Sequence, residues 1–600
     1  MKLILVLVAL FTFTVGIQSQ ENGTTGKTRG SRVPRANEQA IAAQFNELKQ
    51  ALDLQGQQIH ELSEQVHSRD QKIEQLQQRL EESQAILKTL ETKADADSQA
   101  VSQTQVVSTL KNDVSDLKTT VTNSLQETKK AVNEASSPLA LHFKGITLTP
   151  GGFMEAATVW RQHALAADIN TPFNSVPMPG AAQDRMSEFY GSGRQSRISM
   201  LAEGKLSLTK LSGYFESDFN SAGITSNNNQ SNSYSLRVRQ IWGQAALNDG
   251  FTFTGGQMWS LVTETRKGLD NRSEALPMVI DAQYHVGFSW ERQYGFRVAK
   301  VFANKLWLGA AVENPQTLFA ASGQAQNFVL GSAGTSGGLY NPSATYSFNS
   351  SPDFVFKAAA EPGFGHYEVF GIVRRFRDRI YPNAISASPS AAGAYNFGTT
   401  TGGVGANARI SLFNKHFDIA GHFLGGDGME RYGSSLLPDV TVNPDGTVVP
   451  LKSAQGLATL EYHSAKLDIY GNAGVEFVGR HFGFNGAGKT VGYGSPTANN
   501  SGCYAETVPG NPTGGQFPTS SSGFLPGSLA NCAANTRNLT EGTVGFWYRF
   551  YKGPKGTLQW GPQYSYLVRN TWSGAAGTGL LGQPSGIENM FLTSFRYYLP

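Results

Sequence analysis

Several features common in proteins of this length are scarce in the sequence. The 600 residues include only two cysteines, and the mean hydropathy is −0.29. No segment approaches the ~18–20 uninterrupted apolar residues that a membrane-spanning helix requires. These absences argue against a disulfide-rich fold and against a bundle of membrane helices. Histidines are scattered singly and form no nucleophile–base pattern, so no catalytic residue, cofactor, metal site or enzymatic activity is predicted.

The N-terminal segment has the pattern of an export signal. Lys2 is followed by a mostly apolar run from Leu3 to Val15. This pattern predicts a secretory signal peptide over residues 1–19, with a retained anchor helix as the alternative. An exported chain with 66 glycines and 11% aromatic residues is typical of a bacterial outer-membrane protein. Residues 20–44 are polar, and this composition predicts a tether.

A heptad repeat follows the tether and predicts a periplasmic coiled coil over residues 45–137. Apolar residues recur at alternating spacings of three and four, whereas Gln, Glu, Lys and Arg occupy most other positions. The first core position holds Phe45, Leu52, Ile59, Val66, Ile73, Leu80 and Leu87. The β-branched residues at this position favour two strands, but leucine, phenylalanine and polar core residues weaken that rule. The repeat therefore predicts a homo-oligomer without fixing the number of subunits.

From residue 138 onward the period of the apolar pattern is two, which is typical of β-strands with two different faces. Val404, Ala406 and Ala408 alternate with polar residues, and after a turn at 414–416 the alternation continues to Phe423. Sixteen such strands are predicted, near 142–160, 194–206, 209–219, 234–247, 251–259, 292–302, 305–313, 353–361, 366–376, 403–413, 417–425, 454–463, 466–482, 540–551, 556–567 and 588–599. Short and long connections alternate, as in an all-β transmembrane barrel of sixteen antiparallel strands with short turns in the periplasm.

The third long connection, residues 260–291, differs from an ordinary surface loop. It combines several charges with the apolar residues Leu276, Met278, Val279 and Ile280. A fully solvated loop does not need such a run, so this loop is expected to fold into the lumen and narrow it.

The order of signal peptide, coiled coil and sixteen-stranded barrel resembles the DcaP-like trimeric porins. The segments Gly193-Arg194-Gln195-Ser196-Arg197 and Gly256-Gln257-Met258-Trp259-Ser260 add to this resemblance. Membership would imply a homotrimer in the outer membrane that takes up small, often anionic, organic molecules by passive diffusion. The chain departs from common outer-membrane proteins at its end, which reads Tyr597-Tyr598-Leu599-Pro600 without a terminal phenylalanine.

Arginines on the alternating strands and in the third long loop are candidates for lining a pore. They are Arg194, Arg197, Arg237, Arg239, Arg266, Arg272, Arg297, Arg374 and Arg409. An arginine facing lipid at mid-bilayer would cost about 2–4 kcal/mol, so the strand arginines should face the lumen. Residues 139–600 contain 34 Lys and Arg against 29 Asp and Glu, which favours anions. The alternative is that the arginines pair with carboxylates such as Glu203, Glu216, Asp218 and Glu313.

Two further patterns occur in the last long loop region. Cys503 and Cys532 lie in one polar segment of an exported chain, so a disulfide is predicted, and no ligand spacing indicates a metal. Residues 483–490 match the phosphate-binding pattern GxxxxGK[ST], but the following Val491-Gly492-Tyr493-Gly494-Ser495-Pro496 is a poor helix start. A nucleotide site is therefore not expected.

The leading hypothesis is an outer-membrane porin for small, carboxylated solutes, with membrane lipids as its other partners and no nucleic acid. The alternative is a structural tether in which the coiled coil contacts the cell wall and the pore is incidental.

Overall fold

The computed structural model describes residues 140–220, 235–333, 345–384, 387–504, 506, 532–576 and 581–600. The predicted signal peptide, tether and coiled coil lie outside the described residues. None of the helices in the described part is long and apolar enough to cross a membrane.

Sixteen antiparallel strands form one closed sheet. They are β1 Ile146–Arg161, β2 Arg197–Leu206, β3 Thr209–Asp218, β4 Arg237–Leu247, β5 Phe251–Trp259, β6 Arg292–Phe302, β7 Leu306–Glu313, β8 Asp353–Ala360, β9 His366–Ile380, β10 Tyr395–Leu412, β11 Phe417–Asp427, β12 Lys452–His463, β13 Leu467–Val478, β14 Thr536–Gly553, β15 Gly556–Thr571 and β16 Ser585–Tyr598. Each strand pairs with the next along the chain, and β1 also pairs with β16, where Phe153 lies opposite Tyr598. The predicted strand number and closure are confirmed.

Short strands and 3₁₀ turns accompany the sixteen barrel strands. Three short strands extend the barrel sheet by pairing with β1 or β9: Leu141–Phe143, Glu188–Ser192 and Phe328–Val329. The short strands outside this sheet are Gly331–Ala333, Thr345–Ser347, Val440–Val442, Val448–Pro450, His481–Phe484, Thr490–Tyr493, Gly574–Ala575 and Leu581–Gly582. Single 3₁₀ turns occur at Phe173–Ser175, Ala182–Arg185, Glu430–Tyr432 and Ser501–Cys503. The GxxxxGK[ST] segment falls on the hairpin formed by His481–Phe484 and Thr490–Tyr493, not before a helix.

The two faces of the wall differ as the alternation predicts. On β11 and β12, Ile419 and Leu460 lie opposite each other and are 44% and 55% exposed. Their neighbours Asp418 and Glu461 also lie opposite each other but are 7% and 0% exposed. The apolar face is therefore outward, toward lipid, and the polar face is inward, toward the lumen.

The two cysteines form the predicted disulfide. The sulfurs of Cys503 and Cys532 are bonded, and their Cα atoms are 4.8 Å apart. The backbone N–H of Gly180 donates to the carbonyl of Cys503 at 2.9 Å, so the bridge is also tied to the long connection between β1 and β2.

Candidate functional site

The third loop, residues 260–291, folds into the lumen as predicted. Its Thr265 N–H donates to Glu368 of β9 at 3.1 Å. Farther along, the N–H of Val286 donates to Glu541 of β14 at 2.9 Å. Because β9 and β14 are separated by four strands in the barrel, the loop crosses the interior from one wall to another.

The apolar run in this loop explains why it leaves solvent. Val279 and Ile280 are 6% and 0% exposed and belong to a cluster that includes Trp259, at the end of β5. The Ile280 N–H donates to the side-chain oxygen of Gln563 on β15 at 2.5 Å. The loop thus buries its apolar side chains while inward polar side chains of the wall satisfy its backbone.

A second loop, residues 428–451, also enters the lumen, which the sequence reasoning missed. It meets the third loop at Glu476 of β13. This carboxylate accepts the N–H of Gly287 at 2.8 Å and the N–H groups of Ser434 and Ser435, each at 3.0 Å. Gly287 has φ +86°, and an added Cβ would lie 2.0 Å from the carbonyl oxygen of Gly456, so only glycine fits this approach.

Buried ion pairs fix the inner loops to the wall. Arg374 of β9 lies 3.1 Å from Asp353 and 2.7 Å from Asp439 of the second inserted loop. Arg431 of that loop lies 3.2 Å from Asp353 and 3.0 Å from Glu291. The sequence offered a signal for Arg374 in its strand alternation, but none for Arg431, whose position depends on the loop conformation.

A cavity of about 460 Å³ remains between the third loop and the wall. Leu276 and Met278 line it from the loop, and Arg197 and Arg596 line it from the wall. The Arg596 guanidinium carbon lies 5.0 Å from the centre of the Phe153 ring. The cavity therefore has one apolar side and one side with arginines, aromatic rings and carboxylates.

A second cavity, of about 300 Å³, extends toward the short-turn end of the barrel. Lys210 and Gly250 line it near that end, and Arg272 lines it from the third loop. Arg272 is exposed, and its guanidinium carbon lies 4.9 Å from the Tyr214 ring. Because Tyr214 lines the first cavity, Arg272 lies where the two cavities approach each other.

Seven of the nine predicted arginines pair with carboxylates. The shortest nitrogen–oxygen distances are Arg194–Asp168 3.4 Å, Arg197–Glu216 3.7 Å, Arg237–Asp218 2.7 Å, Arg239–Glu216 2.6 Å, Arg266–Glu461 3.5 Å, Arg374–Asp439 2.7 Å and Arg409–Glu264 2.7 Å. The pairing alternative thus describes most of them. Of the acids named for it, Glu203 instead pairs with Lys210, and Glu313 accepts from Ser260.

The remaining two arginines have other surroundings. Arg297 donates to the side chain of Asn271 at 2.8 Å and to the carbonyl of Trp259 at 2.7 Å. Arg272 makes no ion pair with the residues that the structure describes. The nine arginines are therefore not one ladder: most hold the inner loops and the wall, and Arg272 is the exposed cation of the third loop next to both cavities.

One group of side chains has the composition of a metal site. Ligand atoms of Asp418, Glu461 and His463 lie within 4.8 Å of one another. Arg409 lies 3.5 Å from Asp418 and 3.1 Å from Glu461. Since a guanidinium already occupies the space beside these carboxylates, the group is an ion-pair network at the short-turn end of the wall.

Burial raises the pKa values of two acidic side chains in the third loop. Burial raises the pKa of Asp281 to about 6 although its carboxylate accepts the N–H of Thr171. Burial also raises the pKa of Glu291 to about 7, against the opposing effect of Arg431. Both acids therefore change charge near neutral pH within the lumen.

The sequence matches no protein-family model and no curated protein. Among solved structures, the chain is similar to the outer membrane channel DcaP of Acinetobacter baumannii. The TM-score is 0.49 at 12% identity, over 77% of this chain and 100% of that one.

Two other solved structures are also similar to this chain at low sequence identity. For the anion-selective porin from Comamonas acidovorans the TM-score is 0.39 at 9% identity, over 76% of this chain and 100% of that one. For the trimer form of OmpT from Vibrio cholerae it is 0.37 at 10% identity, over 76% and 100%. The sequence was expected to resemble the DcaP-like porins, and the DcaP channel is among the structures to which the chain is similar.

Proposed function

We propose that this protein is an outer-membrane porin through which small solutes diffuse passively. The observation that carries the proposal is the closed sixteen-stranded barrel with an outward apolar face and an inward polar face. Two inserted loops narrow the interior, and cavities with charged side chains in their lining remain beside the wall. A barrel of this strand number encloses an aqueous channel when loops do not fill it completely.

The finer proposal is a moderate preference for anions and small carboxylated molecules. Arg197 and Arg272 support it because Arg197 lines the first cavity from the wall and Arg272 lines the second cavity from the third loop. Their planar guanidinium groups can bind both oxygens of a carboxylate. Glu216 and Asp218, which pair with neighbouring arginines, limit the preference. We therefore expect weak selectivity that falls as salt shortens the Debye length from ~10 Å at 0.1 M to ~3 Å at 1 M.

The test is the reversal potential of single channels across a salt gradient. For the parent protein we expect a potential of the sign that anion preference gives. The double variant Arg197→Gln with Arg272→Gln should lower its magnitude, because both positive charges are removed from the cavity walls. Lys267→Gln is the matched control, since it removes an exposed charge from the same loop at a position that lines neither cavity.

Each result decides one part of the proposal. A cation-selective parent refutes the anion preference. If the parent and the double variant have equal selectivity, Arg197 and Arg272 do not contribute to the anion preference. A barrel that conducts no ions refutes the porin and favours the tether to the cell wall.

The remaining proposals concern assembly and location. We propose a homotrimer, supported by the resemblance to the DcaP-like porins, with the coiled coil of residues 45–137 in the periplasm and residues 138–600 in the outer membrane. The division into signal peptide 1–19, tether 20–44 and coiled coil remains a prediction from the sequence.

A further inference from the structure

A stripe of arginines lies on the outside of the barrel. Along β9, Val369 and Val373 face outward and are 61% and 42% exposed. The same period of two places Arg375, Arg377 and Arg379 on the outward face, and we call these three residues the arginine stripe. Alternation places Arg374 and Asp378, both buried, on the other face. Three successive outward positions thus carry a positive charge.

The stripe begins where the apolar band ends on the long-loop side. On the neighbouring strand β10, Val404 is 67% exposed, whereas Thr400, opposite Arg375, and Asn396, opposite Arg379, are polar. The apolar surface therefore stops at one level on both strands. In a barrel with short periplasmic turns, this level is the boundary between the hydrocarbon core and the headgroups of the outer leaflet.

The stripe has no carboxylate partner among the residues that the structure describes. Its side chains donate instead to neutral oxygens: Arg375 to the hydroxyl of Thr400 at 3.1 Å, and Arg377 to the carbonyl of Phe348 at 2.6 Å. None of the three makes an ion pair within the described part of the chain. Moreover, the flanking sequences 314–352 and 381–408 contain no Asp, Glu, Lys or Arg.

The local backbone leaves room for the guanidinium groups. Gly398 of β10 lies opposite Arg377, and a Cβ added there would lie 3.1 Å from Nη2 of Arg375. The Arg375 side chain thus lies over the glycine, close to the wall. The nearby outward carboxylate, Asp427 of β11, is two strands away from β9 and lies opposite Lys452.

We propose that the arginine stripe binds the phosphate groups of an outer-leaflet glycolipid of the lipopolysaccharide type, whose acyl chains lie on Val369, Val373 and Val404. This rests on the proposed outer-membrane location. Successive stripe residues are ~6.6–6.8 Å apart along the strand, so the stripe spans ~13 Å and can contact a headgroup with more than one phosphate. Guanidinium groups suit phosphate because they donate two parallel hydrogen bonds. A ligand with acyl chains below and phosphates above matches both parts of this surface.

The experiment measures binding of labelled lipopolysaccharide to the full-length protein in detergent. We expect the triple variant Arg375→Gln, Arg377→Gln, Arg379→Gln to bind about tenfold or more weakly than the parent, since each basic residue near anionic headgroups adds to the attraction. The matched control changes Lys205, Lys305 and Lys415 to Gln, because these exposed lysines lie at the short-turn end. The control should keep the parent affinity. A triple Arg→Lys variant, which keeps the charge, should bind more tightly than the Gln variant.

Further arms separate the sources of phosphate. The dephosphorylated glycolipid should bind the parent about as weakly as the phosphorylated lipid binds the Gln variant. Equal binding of both lipids to the parent, or equal affinity of parent and Gln variant, overturns the proposal. Displacement of the lipid by inorganic phosphate at low millimolar concentration assigns the stripe to a free anion and also overturns it.

Two other measurements distinguish lipid binding from a subunit contact and from the proposed porin function. If the Gln variant loses its oligomeric state but not its lipid, the stripe belongs to a contact with another subunit, and the lipid proposal fails. Single-channel conductance in bilayers free of glycolipid should be unchanged in the Gln variant. A parent without conductance contradicts the porin, whereas phosphate-dependent lipid binding would still support the stripe.

Discussion

At the residue scale, arginines of one strand have opposite roles because the backbone alternates. Arg374 and Arg375 are adjacent, yet Arg374 is 1% exposed and bound to two aspartates, whereas Arg375 is on the outer surface. A buried ion pair costs desolvation, and removing one partner leaves the other charged group without compensation. Residue type alone therefore does not assign an arginine to permeation, and position on the strand decides.

We expect Arg374→Ala to lower the free energy of unfolding by about 3–5 kcal/mol, because Asp353 and Asp439 would stay buried without their cation. Arg375→Ala is the control and should change it by less than about 0.5 kcal/mol in glycolipid-free detergent. Urea titration followed by tryptophan fluorescence measures both. Equal effects of the two substitutions would show that the Arg374 network does not stabilise the fold.

At the element scale, the third loop is held by hydrogen bonds and by acids whose charge depends on pH. Its apolar residues fix its middle, whereas Asp281 and Glu291 lie near its C-terminal end. The loop and the second inserted loop converge on Glu476, so a change in one should affect the other.

The third loop should be more stable in acid than in base. Burial raises the pKa of Asp281 to about 6 and of Glu291 to about 7, compared with ~3.9 and ~4.3 in unfolded chains. A raised folded pKa stabilises the folded loop fully below about pH 4, and this contribution is lost as the pH rises through about 6 and 7. We expect amide hydrogens of residues 276–291 to exchange more slowly at pH 5 than at pH 8, after correction for intrinsic rates.

The control for this pH effect is substitution of the two acids. Asp281→Asn with Glu291→Gln should flatten the dependence, whereas Glu203→Gln, a partly exposed wall carboxylate paired with Lys210, should leave it unchanged. Faster exchange at pH 5 than at pH 8 in the parent would contradict the assignment.

At the scale of the whole molecule, assembly and permeation belong to different parts of the chain. The lumen and its loops are within residues 140–600, whereas the heptad repeat is within residues 45–137. Heptads with apolar core positions drive association by burying the seam between helices. The outward apolar face of the barrel can add contacts between subunits.

We expect deletion of residues 45–121 to weaken the oligomer in mild detergent while the conductance of each barrel remains. Native mass spectrometry gives the number of subunits, and bilayer recording gives the conductance. An unchanged trimer would show that the repeat provides reach and not assembly. Dimers in the parent protein would contradict the trimer and agree with the β-branched core positions.

The sequence by itself determined the barrel, because each strand records its two environments in a period of two. Val404, Ala406 and Ala408 specify a lipid face, and Asn407 and Arg409 specify the opposite one. All sixteen strands follow from such local patterns, and the disulfide follows from the two cysteines in one polar segment of an exported chain. The inward third loop was also predictable, since its apolar run from Leu276 to Ile280 has no place in solvent.

Only the tertiary structure decided which charges meet. The second inserted loop buries Leu437, Val440 and Leu451, but its position also depends on contacts such as Ser434 with Glu476, whose residues are 42 positions apart. Likewise, the partners of Arg374 come from β8 and from that loop. Pairing energies depend on distance and burial, which strand periodicity does not contain. The sequence therefore specified the wall, and the folded loops determined which arginines are held in ion pairs and which remain available to a ligand.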